Sequence, residues 1–498
     1  MQIIENAVAG KRYVSSSTRR VPVFNPATGE QSAELPLSTL SELDAAVASA
    51  KKAQVAWGHT PPMKRARVLF KFKALLDQYA DDIAREISKE HGKVHDDALG
   101  EVARGIDCVD FACGIPHLLK GEFSRNVGPN IDTYSDRQPL GVVAGITPFN
   151  FPAMVPMWMY PAAIACGNAF ILKPSERDPS APMLAWNLFM EAGLPEGILN
   201  IVHGDKEMVD GILDHPDIAA VSFVGSTPIA EYVYQRGTRA GKRVQALGGA
   251  KNHMIIMPDA DLDQAADALM GAGYGSAGER CMAISVAVPV GKDTADALVA
   301  KLKPRVESLK IGPATDKDAE MGPVVTKMHR DKILSYIDKG EEQGAKLVVD
   351  GRGFTLQGYE NGYYVGGTLF DNVEPHMDIY KDEIFGPVLS VVRRDSFKDA
   401  VDLIHGHEYA NGTAIFTRDG DAARDFADRI EVGMVGINVP IPVPVAYHSF
   451  GGWKRSLFGD HSIYGPEGIH FYTRLKTVTT RWPAGIKGGA EFSFPSVK

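Results

Sequence analysis

The feature that most constrains this chain is a rhythm that begins near residue 139. PLGVVAGITP, NAFILKPSE, GILNIVHGD, IAAVSFVGS and KRVQALGG are short apolar runs, each closed by turn residues. Helical patterns such as APMLAWNLFMEAGL and IAEYVYQRGTRA separate them. Strands alternating with helices of this length predict a parallel sheet with helices on both faces. Ligands bind such sheets beyond the carboxyl ends of the strands. Asn150, Lys173, Glu176, Gly225 and Ser226 are the polar and turn residues that fall there. After residue 250 the rhythm restarts with VAVPVG, KLVVDG, GPVLSVVRR, GTAIFTRD and GMVGIN, which predicts a second α/β domain. A mainly helical region precedes the first sheet and is expected to pack against it. Two segments fit neither domain: NIDTYSDRQ and HFYTRLKTVTTRW. Both read as extended polar strands, and such edges need a partner, in another subunit or within the chain.

Composition excludes several classes. The 498 residues carry a net charge of −9 with no basic block, so no nucleic-acid partner is expected. The four cysteines, Cys108, Cys113, Cys166 and Cys281, form no CxxC pair and no zinc-spaced cluster. No metal site is expected, and a reducing compartment suits them. The first residues, MQIIENAVAGKRYV, lack an apolar core of signal-peptide length. The expected location is cytoplasmic. Met154 to Leu172 is nearly long enough to span a bilayer. Pro156, Pro161, Asn168 and the following Lys173 instead predict a buried helix and then a short buried strand, so no membrane partner is expected.

Cys281 ends the stretch GSAGERC. A free cysteine usually packs as a small hydrophobe. The Gly-rich approach GAGYGSAGER, however, can bring backbone N–H groups close to a ligand. The wider chain bears on the choice. FNPATGE, TPFNFP, the KPSE of ILKPSE, FVGST, ERC and EIFGP occur in that order from about residue 24 to 387, and the pattern continues to FGG near residue 452. Together they resemble the aldehyde dehydrogenase superfamily. The resemblance implies an α/β fold: a Rossmann-like NAD-binding domain over 1–121 and 139–248, a second α/β catalytic domain over 249–448, and a small β oligomerisation arm from 122–138 and 466–498. A homotetramer or homodimer is expected.

The same resemblance implies roles. Cys281 is the nucleophile that attacks an aldehyde carbon, and the Asn150 side chain with the Cys281 backbone N–H holds the resulting oxyanion. Losing one such donor typically costs about a hundred- to thousandfold in rate. NAD is the implied cofactor. Lys173 and Glu176 look like the pair at the adenosine ribose, where a carboxylate favours NAD over NADP. Gly225 and Ser226 open a helix N-terminus that suits a pyrophosphate. Phe149 in TPFNFP, with Glu383 and Phe385 in EIFGP, resembles the residues around the rest of the cofactor. Read alone, Glu383 is an ordinary solvated charge.

One departure matters. Hydrolytic members carry ELGGK, whose glutamate activates the water that cleaves the thioester. This chain reads VQALGGAKNH. Anchoring on LGG puts Ala246 at the glutamate position, and anchoring on Lys251 puts Leu247 there. A positioned base is worth about a hundred- to ten-thousandfold, whereas a thiol acceptor is a strong nucleophile even at a few per cent thiolate. The absence predicts acyl transfer to coenzyme A. GAKNH, ERCMA and ARGID are similar to the methylmalonate-semialdehyde dehydrogenases, the CoA-acylating branch. That branch oxidises methylmalonate or malonate semialdehyde with decarboxylation, giving propionyl-CoA or acetyl-CoA. Its substrates carry a carboxylate. Arg104 and Arg280 match its arginines, and a guanidinium suits bidentate carboxylate binding. The plainer alternatives are a surface helix charge for Arg104 and a structural salt bridge for Arg280. For the whole chain, the alternatives are a hydrolytic semialdehyde dehydrogenase and a catalytically silent scaffold.

Overall fold

The computed structural model describes residues 2–483. Its larger sheet has eight strands. Five run parallel at its centre, in the spatial order Arg243–Leu247, Ile218–Val224, Val142–Ile146, Ala169–Lys173, Leu199–Ile201. They are the five predicted runs. Val142–Ile146 and Ala169–Lys173 are buried throughout, as expected where helices cover both faces. Antiparallel strands close the edges: Leu457–Phe458 on one side, Asn6–Val8 and Lys11–Tyr13 on the other.

The region expected to be mainly helical begins instead with five short strands, all before residue 37. Two of them extend the large sheet, and the rest form a small sheet of their own. They are too short and polar to show a period of two. The helices then follow as expected. Leu40–His59 opens with a capping box between Thr39 and Glu42.

The stretch from Met154 forms the buried helix Met154–Ala165 and then the strand Ala169–Lys173. Asn168, the polar residue between them, satisfies both ends of its amide. Its Oδ1 accepts from the Leu140 and Gly141 amides at 2.8 and 3.0 Å, and its Nδ2 donates to the Ala163 and Tyr472 carbonyls at 2.9 and 3.0 Å.

A second, seven-stranded sheet holds the predicted later strands. Two of its members, Asn252–Ile256 and Thr368–Asp371, were not foreseen. Each sheet has its own apolar core. The two extended segments pair with each other: Ile131–Pro139 runs antiparallel to Thr473–Arg481, and Glu122–Gly128 adds a third strand. Part of the predicted arm, 484–498, lies outside the described residues. No helix among the described residues is long and apolar enough to cross a membrane.

Candidate active site

The large sheet reverses its strand order between Val142–Ile146 and Ile218–Val224, so the segments leaving those strands diverge and open a crevice. A cavity of about 1010 Å³ occupies it and reaches the second domain-like half at Cys281. Every predicted site residue except Arg104 and Arg280 lines this one cavity.

At its outer part, Lys173 Nζ lies 3.0 Å from Glu176 Oε2. Burial acts to raise the Glu176 pKa, but the Lys173 charge and hydrogen bond prevail and hold it below its ordinary value. This leaves a carboxylate able to accept from a hydroxyl. Gly225 and Ser226 follow the strand Ile218–Val224, and Ser226 is the N-cap of the helix Thr227–Arg239. No side chain caps that helix; Pro228 has no N–H and Ile229 donates to the Ser226 carbonyl, so the Thr227 amide is the first-turn donor left for an anion.

Deeper in, Phe149 meets Phe385 edge-on with ring centroids 5.9 Å apart, and the Arg177 guanidinium lies 4.8 Å above the Phe149 ring. Phe385 is held at φ +61°, a conformation uncommon for a bulky residue. His329 Nε2 donates to its carbonyl at 2.7 Å and fixes it there. Glu383 Oε1 accepts from the Ala250 amide at 2.9 Å, and burial raises its pKa to about 6.

Cys281 is half-buried. Burial, and then the Glu383 carboxylate, push its thiol up to about 12, against backbone N–H groups and Arg280 that pull it down. The loop that carries it is tied from the strand Asn252–Ile256 and from the bend at Asn411. Asn252 Nδ2 donates to the Cys281 carbonyl at 2.9 Å and to the Ala283 carbonyl at 3.0 Å, and Asn411 Nδ2 donates to the Cys281 carbonyl at 3.1 Å. Asn150 is buried, and its side-chain amide makes no hydrogen bond to any described residue. It is therefore free to serve a ligand.

The arginines sit elsewhere. Arg104 is exposed on the helix His95–Cys113 and has no ion pair or hydrogen bond among the described residues. It and Cys281 both lie within electrostatic reach of Tyr464. Arg280 turns away from the cavity. Its Nη2 pairs with Asp97 Oδ1 at 2.5 Å, and its Nη1 donates to the Gly271 carbonyl at 3.3 Å. That is the salt-bridge alternative left open above. Cys108, Cys113 and Cys166 are buried free thiols raised by burial. No group of three metal-ligating side chains occurs among the described residues.

Sequence reasoning missed Asn252, Asn411 and His329. Asn252 lies within the quoted GAKNH, but nothing in the sequence links it to a loop 29 residues away.

Fold and site together define a class. The chain matches the aldehyde dehydrogenase family over residues 13–478 and belongs to that family. Among its relatives it is 63% identical to malonate-semialdehyde dehydrogenase of Pseudomonas aeruginosa over 485 residues, 97% of this chain and 98% of the relative. It is 50% identical to a malonate-semialdehyde dehydrogenase of Halalkalibacterium halodurans, over 96% of this chain and 98% of the relative. Methylmalonate-semialdehyde dehydrogenase from Oceanimonas doudoroffii superposes with a TM-score of 0.96 at 58% identity, covering 97% of this chain and 99% of that one. A crystal structure from Sinorhizobium meliloti complexed with NAD superposes with a TM-score of 0.97 at 64% identity, covering 98% and 99%.

Proposed function

We propose that this protein oxidises malonate or methylmalonate semialdehyde with NAD and transfers the acyl group from Cys281 to coenzyme A, with decarboxylation to acetyl-CoA or propionyl-CoA. The observation that carries the reading is the cavity wall beside Cys281. Gly248 and Gly249 line it, while Ala246 and Leu247 are buried in the strand behind. No base on this segment can activate water. The relatives' names and the NAD-bound neighbour support the substrate class and cofactor.

The residues fit NAD. Glu176 presents a charged carboxylate beside Lys173, and the helix that begins after Ser226 offers the Thr227 amide and its positive dipole end to a diphosphate. When bound, NAD accepts hydride. The protein does the rest. The Cys281 sulfur attacks the aldehyde carbon and gives up its proton to solvent. The former carbonyl oxygen gains charge and meets the Asn150 amide and the Cys281 backbone N–H. Loss of hydride from that carbon leaves a thioester; the bond to its free carboxylate breaks, carbon dioxide leaves, and the carbon left behind takes up a proton from solvent. The coenzyme A thiolate then attacks the thioester carbon, the bond to Cys281 breaks, and the enzyme sulfur regains a proton. Arg104, an exposed cation with no side-chain partner among the described residues, is the cation this reading assigns to the substrate carboxylate.

The three-stranded arm presents Phe123, Leu475 and Trp482 at 64%, 59% and 57% exposure, which favours a homodimer or homotetramer. A cytoplasmic location fits four unpaired cysteines.

The test is wild-type protein with malonate semialdehyde and NAD, with and without coenzyme A. Without it, a burst of about one NADH per site should precede slow turnover as acyl-Cys281 accumulates. Adding coenzyme A should restore steady turnover and yield acyl-CoA. Fast turnover to free acid without coenzyme A refutes the acyl-transfer reading.

A further inference from the structure

Beneath the loop that carries Asn150 lies an ion pair that neither the motifs nor the chemistry above requires. Lys93 and Glu101 have side chains 1% and 0% exposed and a 2.7 Å contact. Lys93 follows Gly92, which ends the helix Ala80–His91 with φ +95°. Glu101 stands on the helix His95–Cys113, three residues before Arg104. Lys93 Nζ also donates to the Asn150 carbonyl at 2.7 Å, and it lies 4.3 Å from the centroid of the Phe151 ring. Glu101 Oε1 accepts from the Ala153 and Met154 amides at 2.8 and 3.1 Å, at the start of the helix Met154–Ala165. A carboxylate there also complements the helix dipole.

The loop is thus held at three points. Its first amide, Thr147, donates to the Lys173 carbonyl at 3.1 Å. Its middle is fixed by Lys93 and its end by Glu101. Because the Asn150 side chain has no hydrogen bond among the described residues, its place in the cavity it shares with Cys281 is set by its backbone. Buried ion pairs add little stability over apolar residues of the same volume, so stability alone does not account for this one. The neighbouring ionisable groups do not compete for it. Burial raises Glu90 to about 7, Glu279 to about 8 and Asp178 well above the carboxylate range, and it lowers His91 far below its ordinary value.

We infer that Lys93 and Glu101 are positioning residues for the oxyanion donor Asn150, clamping its loop to the helix that carries Arg104. The inference rests on the reading of Asn150 as that donor. Lys93→Met alone strands a buried carboxylate and is expected to unfold the protein. The informative protein is therefore the full-length Lys93→Met/Glu101→Gln variant. It removes both charges, and glutamine keeps an acceptor for the Ala153 and Met154 amides. The single-turnover NADH burst is measured at saturating NAD with propanal and with malonate semialdehyde. We expect the burst rate to fall about ten- to a hundredfold on both aldehydes, while NAD affinity and Cys281 alkylation stay at wild-type values. Adding the pair substitution to Asn150→Ala should slow the burst little further, because both changes remove the same donor geometry. A folded pair variant with a wild-type burst overturns the inference. So does a combined variant whose loss is the product of the separate losses. If Asn150→Ala itself leaves the burst unchanged, the oxyanion reading fails too, and that result is distinct from the other two.

Discussion

Arg104 offers the sharpest test of substrate choice. Its guanidinium is exposed and unpartnered among the described residues, so Arg104→Leu breaks nothing inside the protein. What it removes is a charge-assisted contact to a substrate carboxylate, worth about 1.5–3 kcal/mol. Exposure to solvent puts this one near the lower end. A loss of about 1.5–2 kcal/mol corresponds to about a 10- to 30-fold fall in kcat/KM for malonate semialdehyde. Propanal has no carboxylate, and its kcat/KM should stay within about twofold. Arg280 supplies the contrast. Its ion pair with Asp97 is three-quarters or more buried, and Asp97 Oδ2 already has no partner. Arg280→Leu therefore leaves an unsatisfied carboxylate, costs about 1–3 kcal/mol of stability, and should lower the thermal midpoint. Initial-rate kinetics on the two aldehydes and a melting curve separate the cases. Equal losses on propanal and malonate semialdehyde in Arg104→Leu would refute the carboxylate role. Asp97→Asn frees the Arg280 guanidinium. An unchanged KM for malonate semialdehyde in that variant assigns Arg280 to the fold alone.

Cys281→Ala should abolish NADH formation while calorimetry still detects NAD binding; turnover in that variant would remove Cys281 from the chemistry. Wild-type protein should prefer NAD strongly over NADP, and Glu176→Gln should relax the preference by removing the carboxylate that repels a 2′-phosphate; equal wild-type kcat/KM for the two cofactors contradicts this. The Glu383 carboxyl titrates near 6, above the ordinary 4.5, so its charged form is lost as pH falls through that value. NAD affinity should therefore weaken from pH 7 to pH 5, and the dependence should flatten in Glu383→Gln.

What was legible in the sequence is what is local in the sequence. The five central strands announce themselves because burial on both faces makes them continuous apolar runs. Asn150, Lys173, Glu176 and Ser226 could be placed because each follows directly on such a run. Asn252–Ile256 was hidden because it begins with Asn and His, which the fold buries to reach partners far away in sequence. Lys93 and Glu101 are eight residues apart and look like ordinary charges around a helix start. The loop at Asn150 and Phe151 covers Lys93, the start of Met154–Ala165 covers Glu101, and this packing removes the water that such charges normally keep. Asp97 and Arg280 are separated by 183 residues, so their pairing left no trace in any spacing.

The glutamate missing from VQALGGAKNH has a structural counterpart. Arg243–Leu247 pairs with Ile218–Val224 on one side and Leu457–Phe458 on the other, so Ala246 and Leu247 are both locked in the large sheet at 0% and 2% exposure. The chain reaches the cavity only as Gly248 and Gly249. A Cβ on Gly249 would stand 2.5 Å from Glu383 Oε2, and one on Gly248 would stand 2.8 Å from the Arg455 carbonyl. A side chain at Gly249 would require Glu383 to move, and one at Gly248 would require the backbone at Arg455 to shift. The remaining acids on the wall are Glu176, Asp205 and Glu383. Glu176 is paired with Lys173 and Asp205 with Arg19. Of these acids only Glu383 acts electrostatically on Cys281, and it does so by raising the thiol pKa. A carboxylate placed that way disfavours the free thiolate of the resting enzyme. One of its oxygens is committed to the Ala250 amide. The site thus offers a thioester on Cys281 no water-activating base from this strand. An acceptor that carries its own nucleophile, such as a thiolate, needs no such base.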